Sequence, residues 1–165
     1  MQRKTLEFFL NINLTFNDHI TYTASSSMAR LGQINRVKHC FDRQTLIILI
    51  NALVFTKLFY CSSVWSNTTE TNFSKTQAVQ NFACRIVSGA KKYDHITPLL
   101  KELKWLPIKK QLHLRKAILV FRCMNGMAPG HLAVRFVKRF SNSGRQTRSS
   151  QLLIIIIIII IIMNL

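Results

Sequence analysis

Acidic side chains are what this sequence lacks. Six Asp and Glu stand against 23 Lys and Arg, which gives a formal charge of +17 over 165 residues. An excess of that size excludes an ordinary near-neutral domain, because it self-repels unless a polyanion neutralises it. Carboxylate-based metal catalysis is also poorly served: Glu7, Asp18, Asp42, Glu70, Asp94 and Glu102 lie at least eight residues apart. Enzymes that join nucleotides need carboxylates converging on two metal ions, and Asp18 and Asp42 stand where helices are expected to begin. Paired cysteines are missing too. Cys40, Cys61, Cys84 and Cys123 are spaced by 21, 23 and 39 residues, with no CxxC or CxxH pair to form a zinc site. Reduced thiols and no metal are the expectation. No secretory signal opens the chain, so the sequons at Asn13, Asn67 and Asn72 carry no weight. The sequence has no GxSxG, GxxxxGK[ST], GxGxxG or HExxH motif. His19, His39, His95, His113 and His131 are scattered and read as surface or helix-end residues.

What is present is helical periodicity and positive charge. Strand signals are weak throughout, and the sequence predicts an all-α fold of five or six helices packed around a central apolar helix. Asn17 or Asp18 caps a first helix to about Lys38, with Ile20, Met28, Leu31, Ile34 and Val37 on its apolar face and Ala24 and Ser27 allowing close packing. Asp42 caps a second, apolar on nearly every side from Leu46 to Phe59 with Leu53 included, which makes it the expected core helix. A third places Phe73, Gln77, Gln80, Ala83, Cys84 and Val87 on one side and ends at Gly89. Thr97-Pro98 starts a fourth, reaching about Trp105. Pro107 starts a fifth that Gly126 closes, and a sixth runs from Pro129 to about Phe140.

The charge is concentrated late in the chain. Residues 1–90 hold 9 basic and 4 acidic side chains, whereas residues 91–165 hold 14 and 2. On the fifth helix Arg115 and Arg122, seven apart, form one stripe, and Lys109 and Lys116 form another. These four are the expected phosphate contacts, because a helix with almost no acids nearby gains more from phosphate than from solvent. Lys104 and Trp105 join them as candidates. Trp105 has two readings, a stacking platform for a base or a core side chain between short helices, and packing is the preferred one. Trp65 reads as core. The expected partner is nucleic acid, with a membrane through Leu152 to Met163 as the alternative and no small-molecule substrate; no cofactor is implied, and nucleus or cytoplasm is favoured over membrane as the location.

Several stretches resemble the reverse transcriptases of non-LTR retrotransposons, the jockey-like and chicken-repeat-like elements. They are Leu14-Thr-Phe-Asn-Asp-His-Ile20, Ala78-Val-Gln-Asn-Phe-Ala-Cys-Arg-Ile-Val-Ser-Gly89 and Thr97-Pro-Leu-Leu-Lys-Glu-Leu-Lys-Trp-Leu-Pro-Ile108. The segment from Asn51 to Trp65, ending in Tyr-x-x-x-x-Trp, Met124-Asn-Gly-Met-Ala-Pro129 and Arg145-Gln-Thr-Arg-Ser-Ser-Gln-Leu-Leu153 extend the likeness over residues 14–153. The resemblance implies the helical thumb and connection region that grips a template-primer duplex. In that family the magnesium-binding Phe-x-Asp-Asp motif lies upstream, outside this chain. The likeness therefore implies a truncated element copy, inactive alone, that retains template-primer binding. Phe16 departs from the family's Trp, residues 1–10 match nothing in the pattern, and the chain diverges after Leu153.

The expected organisation is an unmatched lead at residues 1–13, a helical domain at 14–140, a polar basic linker at 141–151 and a low-complexity tail at 152–165. The tail contains nine consecutive isoleucines, Ile154 to Ile162, and is expected to be disordered or extended. Leu152 to Met163 is too short for a confident membrane span, and its uncharged β-branched run is an aggregation hazard. The alternative function is a basic membrane-associated protein anchored through that tail, with the Arg-rich linker against anionic lipid.

Overall fold

The computed structural model describes the backbone of residues 3–5, 8–10 and 16–134, with side chains over 16–134. The expected linker, the isoleucine tail and the last turns of the sixth helix lie outside the described residues. Among the described residues the fold is all-helical apart from one short antiparallel strand pair, β1 (Arg3–Thr5) and β2 (Phe8–Leu10), in register Arg3 opposite Leu10. The helices are α1 (Asn17–Val37), α2 (Arg43–Ile50), α3 (Thr56–Leu58), α4 (Ser62–Trp65), α5 (Glu70–Ser88), α6 (Ile96–Glu102), α7 (Ile108–Met124) and α8 (Gly130–Ala133). The chain divides into two compact units, with the boundary between Lys109 and Lys110. That boundary falls inside the stretch 14–140 read from the sequence as one domain.

The first unit is built on α1 packed along α5. From α1, Ile20, Thr23, Ala24, Ser27, Leu31 and Ile34 are buried; from α5, Val79, Ala83, Cys84, Ile86 and Val87 are. Full burial of one such aliphatic side chain contributes about 1.5–3 kcal/mol. Small residues at Ala24, Ser27 and Ala83 let the two backbones approach. Met28 and Val37, expected on the buried face of α1, are exposed instead. His19, expected at the surface or at a helix end, lies in the first turn of α1 and is buried there, and desolvation lowers its pKa below the ordinary histidine value. The residue at the cap position of α1 is Phe16, in the left-handed region with φ 51°, while Asn17 and Asp18 fall in the first turn.

Asp42 caps α2 as expected: its Oδ2 accepts from Gln44 N–H at 3.0 Å and Thr45 N–H at 3.3 Å. The Thr45 hydroxyl also donates to its carboxylate, and this bond contributes most to holding the Asp42 pKa below the usual carboxylate value. The helix then runs from α2 into α3 through a π-helical segment, Asn51–Phe55. Four of its buried residues, Leu46, Ile50, Val54 and Leu58, are spaced by four, and Phe55 is buried beside them. In a regular α-helix each step of four overshoots a turn by about 40°, so a line of four would wander off the core. The wider π turn takes out part of that drift and keeps the line buried. Two side chains bond carbonyls in or beside the π segment: Thr56 Oγ1 donates to Asn51 O at 2.9 Å and Arg30 from α1 donates to Leu53 O at 2.8 Å.

The consequence is a one-sided helix where the sequence suggested an all-round apolar one. Leu53 is 46% exposed and Ile48 is 58% exposed. A run that is apolar on every face does not reveal which face the neighbours cover. Trp65 is buried as expected, and its indole N–H donates to Tyr60 O at 2.9 Å. Ile50→Ala should therefore cost about 2–5 kcal/mol in urea unfolding, whereas Leu53→Ala should stay within about 1 kcal/mol. Equal losses for the two would contradict the one-sided packing.

Candidate nucleic-acid interface

The approach to α7 is fixed by two amides of α5. Gln80, 1% exposed, donates from Nε2 to Leu106 O at 2.8 Å, and Gln77 accepts from Ile108 N–H through Oε1 at 3.0 Å. Gln77 also donates to Gln80 Oε1 and Asn81 Oδ1, both at 2.9 Å, so the amides complete one another's bonds. Three residues apart on one helix face, they hold both polar groups flanking Pro107, the residue that itself lacks an N–H.

Three of the six residues expected at the interface belong to this first unit. Lys104 sits at φ 55°, the left-handed position closing α6, with its N–H on Lys101 O at 3.1 Å. Trp105 follows, its N–H on Leu100 O at 2.8 Å, and its half-buried ring meets Phe55 edge-on with centroids 5.0 Å apart. That contact supports the packing reading over the stacking one. Lys109 is exposed but engaged: its Nζ lies 3.0 Å from Glu70 Oε2 and 5.5 Å from the Phe73 ring centroid. Its charge is therefore partly offset within the protein.

Arg115, Lys116 and Arg122 belong to the second unit. On α7 a spacing of seven returns to within about 20° of the same direction, which aligns Arg115 with Arg122 just under two turns apart, about 10 Å along the axis. Both are exposed, and Lys116 is half-buried. Packing around the Arg115 guanidinium lowers its pKa by desolvation, without discharging it at neutral pH. Residues 108–124 contain no Asp or Glu. Gly126, at φ 70°, ends the helix, and Met127 N–H reaches back to Arg122 O at 2.9 Å in a Schellman closure.

Among the described residues no group of three His, Cys, Asp or Glu is placed to hold a metal ion. Cys40 and Cys61 are exposed free thiols, and Cys84 and Cys123 are buried; burial pushes the Cys84 thiol pKa up. No helix among the described residues is long and apolar enough to cross a membrane. No protein-family model, curated protein or solved structure matches the chain.

One basic site was not legible in the sequence. A groove of about 570 Å³ between α1 and α5 brings Lys38, Arg85 and Lys92 together over Met28 and Phe82. Lys38 and Arg85 are separated by 47 positions and no short motif links them. If Trp105 is a packing residue, Trp105→Leu should lose the ring contact, about 0.5–1.5 kcal/mol, in thermal unfolding. Duplex affinity should be unchanged, and a parallel loss of affinity would restore the stacking reading.

Proposed function

We propose that this chain binds duplex or hybrid nucleic acid through its phosphates, with little sequence preference. It would act as the helical region that grips a template-primer beside a catalytic unit carried elsewhere. The observation that carries this reading is the acid-free helix α7, which presents Arg115 and Arg122 in one exposed stripe with Lys116 beside it. Phosphate contacts give affinity and register without reading base edges, which suits a region that must hold any template. The likeness of residues 14–153 to the thumb and connection region of non-LTR retrotransposon reverse transcriptases points the same way.

The described carboxylates have structural uses, and this supports binding in place of chemistry. Asp42 caps α2, Glu70 pairs with Lys109, Glu102 pairs with Arg43, and Asp94 Oδ2 accepts from Lys91 N–H at 2.7 Å. Asp18 lies in the first turn of α1, where a negative charge favours the helix dipole. None is grouped for two-metal nucleotidyl transfer.

The test is the salt dependence of binding to a mixed-sequence duplex. Replacing Arg115, Lys116 and Arg122 together by Gln should make the log-log slope shallower by about 0.9 for each phosphate contact removed on B-form DNA. The loss should be the same for duplexes of unrelated sequence. If affinity and slope both survive the triple change, α7 is a solvated helix face and the reading fails.

A further inference from the structure

The groove between α1 and α5 differs from the other two described grooves in how its cations are used. In the groove beside the π segment, Arg30 donates to Leu53 O, and Lys57 donates to Ser26 Oγ at 3.1 Å while lying over the Tyr22 ring. In the groove at the start of α5, Lys109 is paired with Glu70, which lines the same groove. In the third, Lys38, Arg85 and Lys92 make no ion pair among the described residues, and none of the lining residues is acidic. Arg85 is braced through Nε on Lys91 O at 3.2 Å, a bond that uses one of its five N–H donors. Lys92 Nζ lies 5.8 Å from the Tyr93 ring centroid. Asn81 has its amide oxygen occupied by Gln77 at 2.9 Å, so what it can still offer is its pair of N–H donors. Asp94, the acid nearest in sequence, is held by Lys91 N–H and does not line the groove.

The three cations and the Asn81 N–H donors of the groove suit an anion, Asn35 adds a second amide, and its apolar wall includes Phe82 and Met28. A bare inorganic anion would use only the first set. The volume, about 570 Å³, lies within the range of small-molecule sites, about 300–1,000 Å³. We propose that this groove binds a nucleoside phosphate, with the phosphate on Lys38, Arg85 and Lys92 and the base against Phe82 and Met28. Arginine suits the phosphate because its planar fork matches two oxygens at once. Aromatic stacking suits the base and tolerates any of them. This goes beyond the duplex-binding reading, because it rests on other residues, in the other unit, and on a different ligand form. The same chemistry is offered by a free mononucleotide and by the 5′-phosphorylated end of a single strand.

Calorimetric titration of the full chain separates these cases with four probes: inorganic phosphate, a nucleoside, the matching nucleoside 5′-monophosphate, and a short 5′-phosphorylated oligonucleotide. The monophosphate should bind about tenfold tighter than phosphate or nucleoside alone, since both halves of the groove contribute. Lys38→Gln, Arg85→Gln and Lys92→Gln together should remove about tenfold or more of that affinity, and Phe82→Leu should weaken the nucleotide while leaving phosphate unchanged. Arg115→Gln, Lys116→Gln and Arg122→Gln on α7 should leave monophosphate binding intact, so this site and the duplex reading fail separately. Binding of the oligonucleotide alone assigns the groove to strand ends; binding of the monophosphate as well assigns it to free nucleotide. In the unaltered protein, the Phe82 ring and Met28 methyl NMR signals should shift on titration, which keeps the test decisive if a variant does not fold. Absence of nucleotide binding in both forms, equal binding of nucleoside and monophosphate, or unshifted Phe82 and Met28 signals overturns the proposal.

Discussion

Gln77 and Gln80 hold the segment on which the proposed interface depends. A buried amide left without partners costs about 1–3 kcal/mol, and in α5 the buried Gln80 and the half-buried Gln77 are satisfied by each other, by Asn81 and by the Leu106 carbonyl and Ile108 N–H. The polar groups on either side of Pro107 are thereby satisfied at the start of α7. The same face of α5 has Asn72, 2% exposed, donating to Asn17 Oδ1 at 2.5 Å and Thr68 Oγ1 at 2.7 Å. One polar seam thus ties α5 to the start of α1 and to the start of α7, while the apolar residues beside it bury against α1. Polar specificity and apolar burial share one helix.

Scarcity of acid then decides where charge is left over. With six carboxylates in the chain, each one committed to a cap, a turn or an ion pair leaves more cations without a counter-charge. Exposed ion pairs such as Arg43 with Glu102 and Lys109 with Glu70 contribute little to stability, but they do mark which cations are already engaged. Lys109 is therefore the weakest of the four lysine and arginine candidates on α7. Arg115 and Arg122 lie on a helix that contains no Asp or Glu, and in the groove Lys38, Arg85 and Lys92 have no acidic residue in the lining.

Local chemistry was legible in the sequence, and three-dimensional coverage was not. Asp42 as a cap, Gly89 and Gly126 as left-handed helix ends, and Pro107 before α7 each follow from a steric or hydrogen-bonding rule that acts within a few residues. The exposure of Met28, Leu53 and Ile48 depends on which neighbours arrive, and an apolar residue looks the same in sequence on either face. The π-helical turn is a response to packing that no local propensity announces. Thr97 was expected to cap α6, yet His95 holds that position and the helix begins at Ile96. The hairpin at Arg3–Leu10 gave only weak strand signals. At the candidate interface, the seven-residue spacing of Arg115 and Arg122 was readable from helix period alone, whereas the ring contact of Trp105 and the pairing of Lys109 needed Phe55 and Glu70 brought from elsewhere in the chain.

On the proposed function, α7 is the surface that meets a nucleic-acid backbone. Hydrogen–deuterium exchange of the full chain, with and without a mixed-sequence duplex at low salt, tests it most directly. Added protection should centre on peptides spanning residues 108–124 and disappear when salt is raised, since screening and counterion effects weaken phosphate contacts. Protection that leaves 108–124 unchanged, or that persists at high salt, would contradict it.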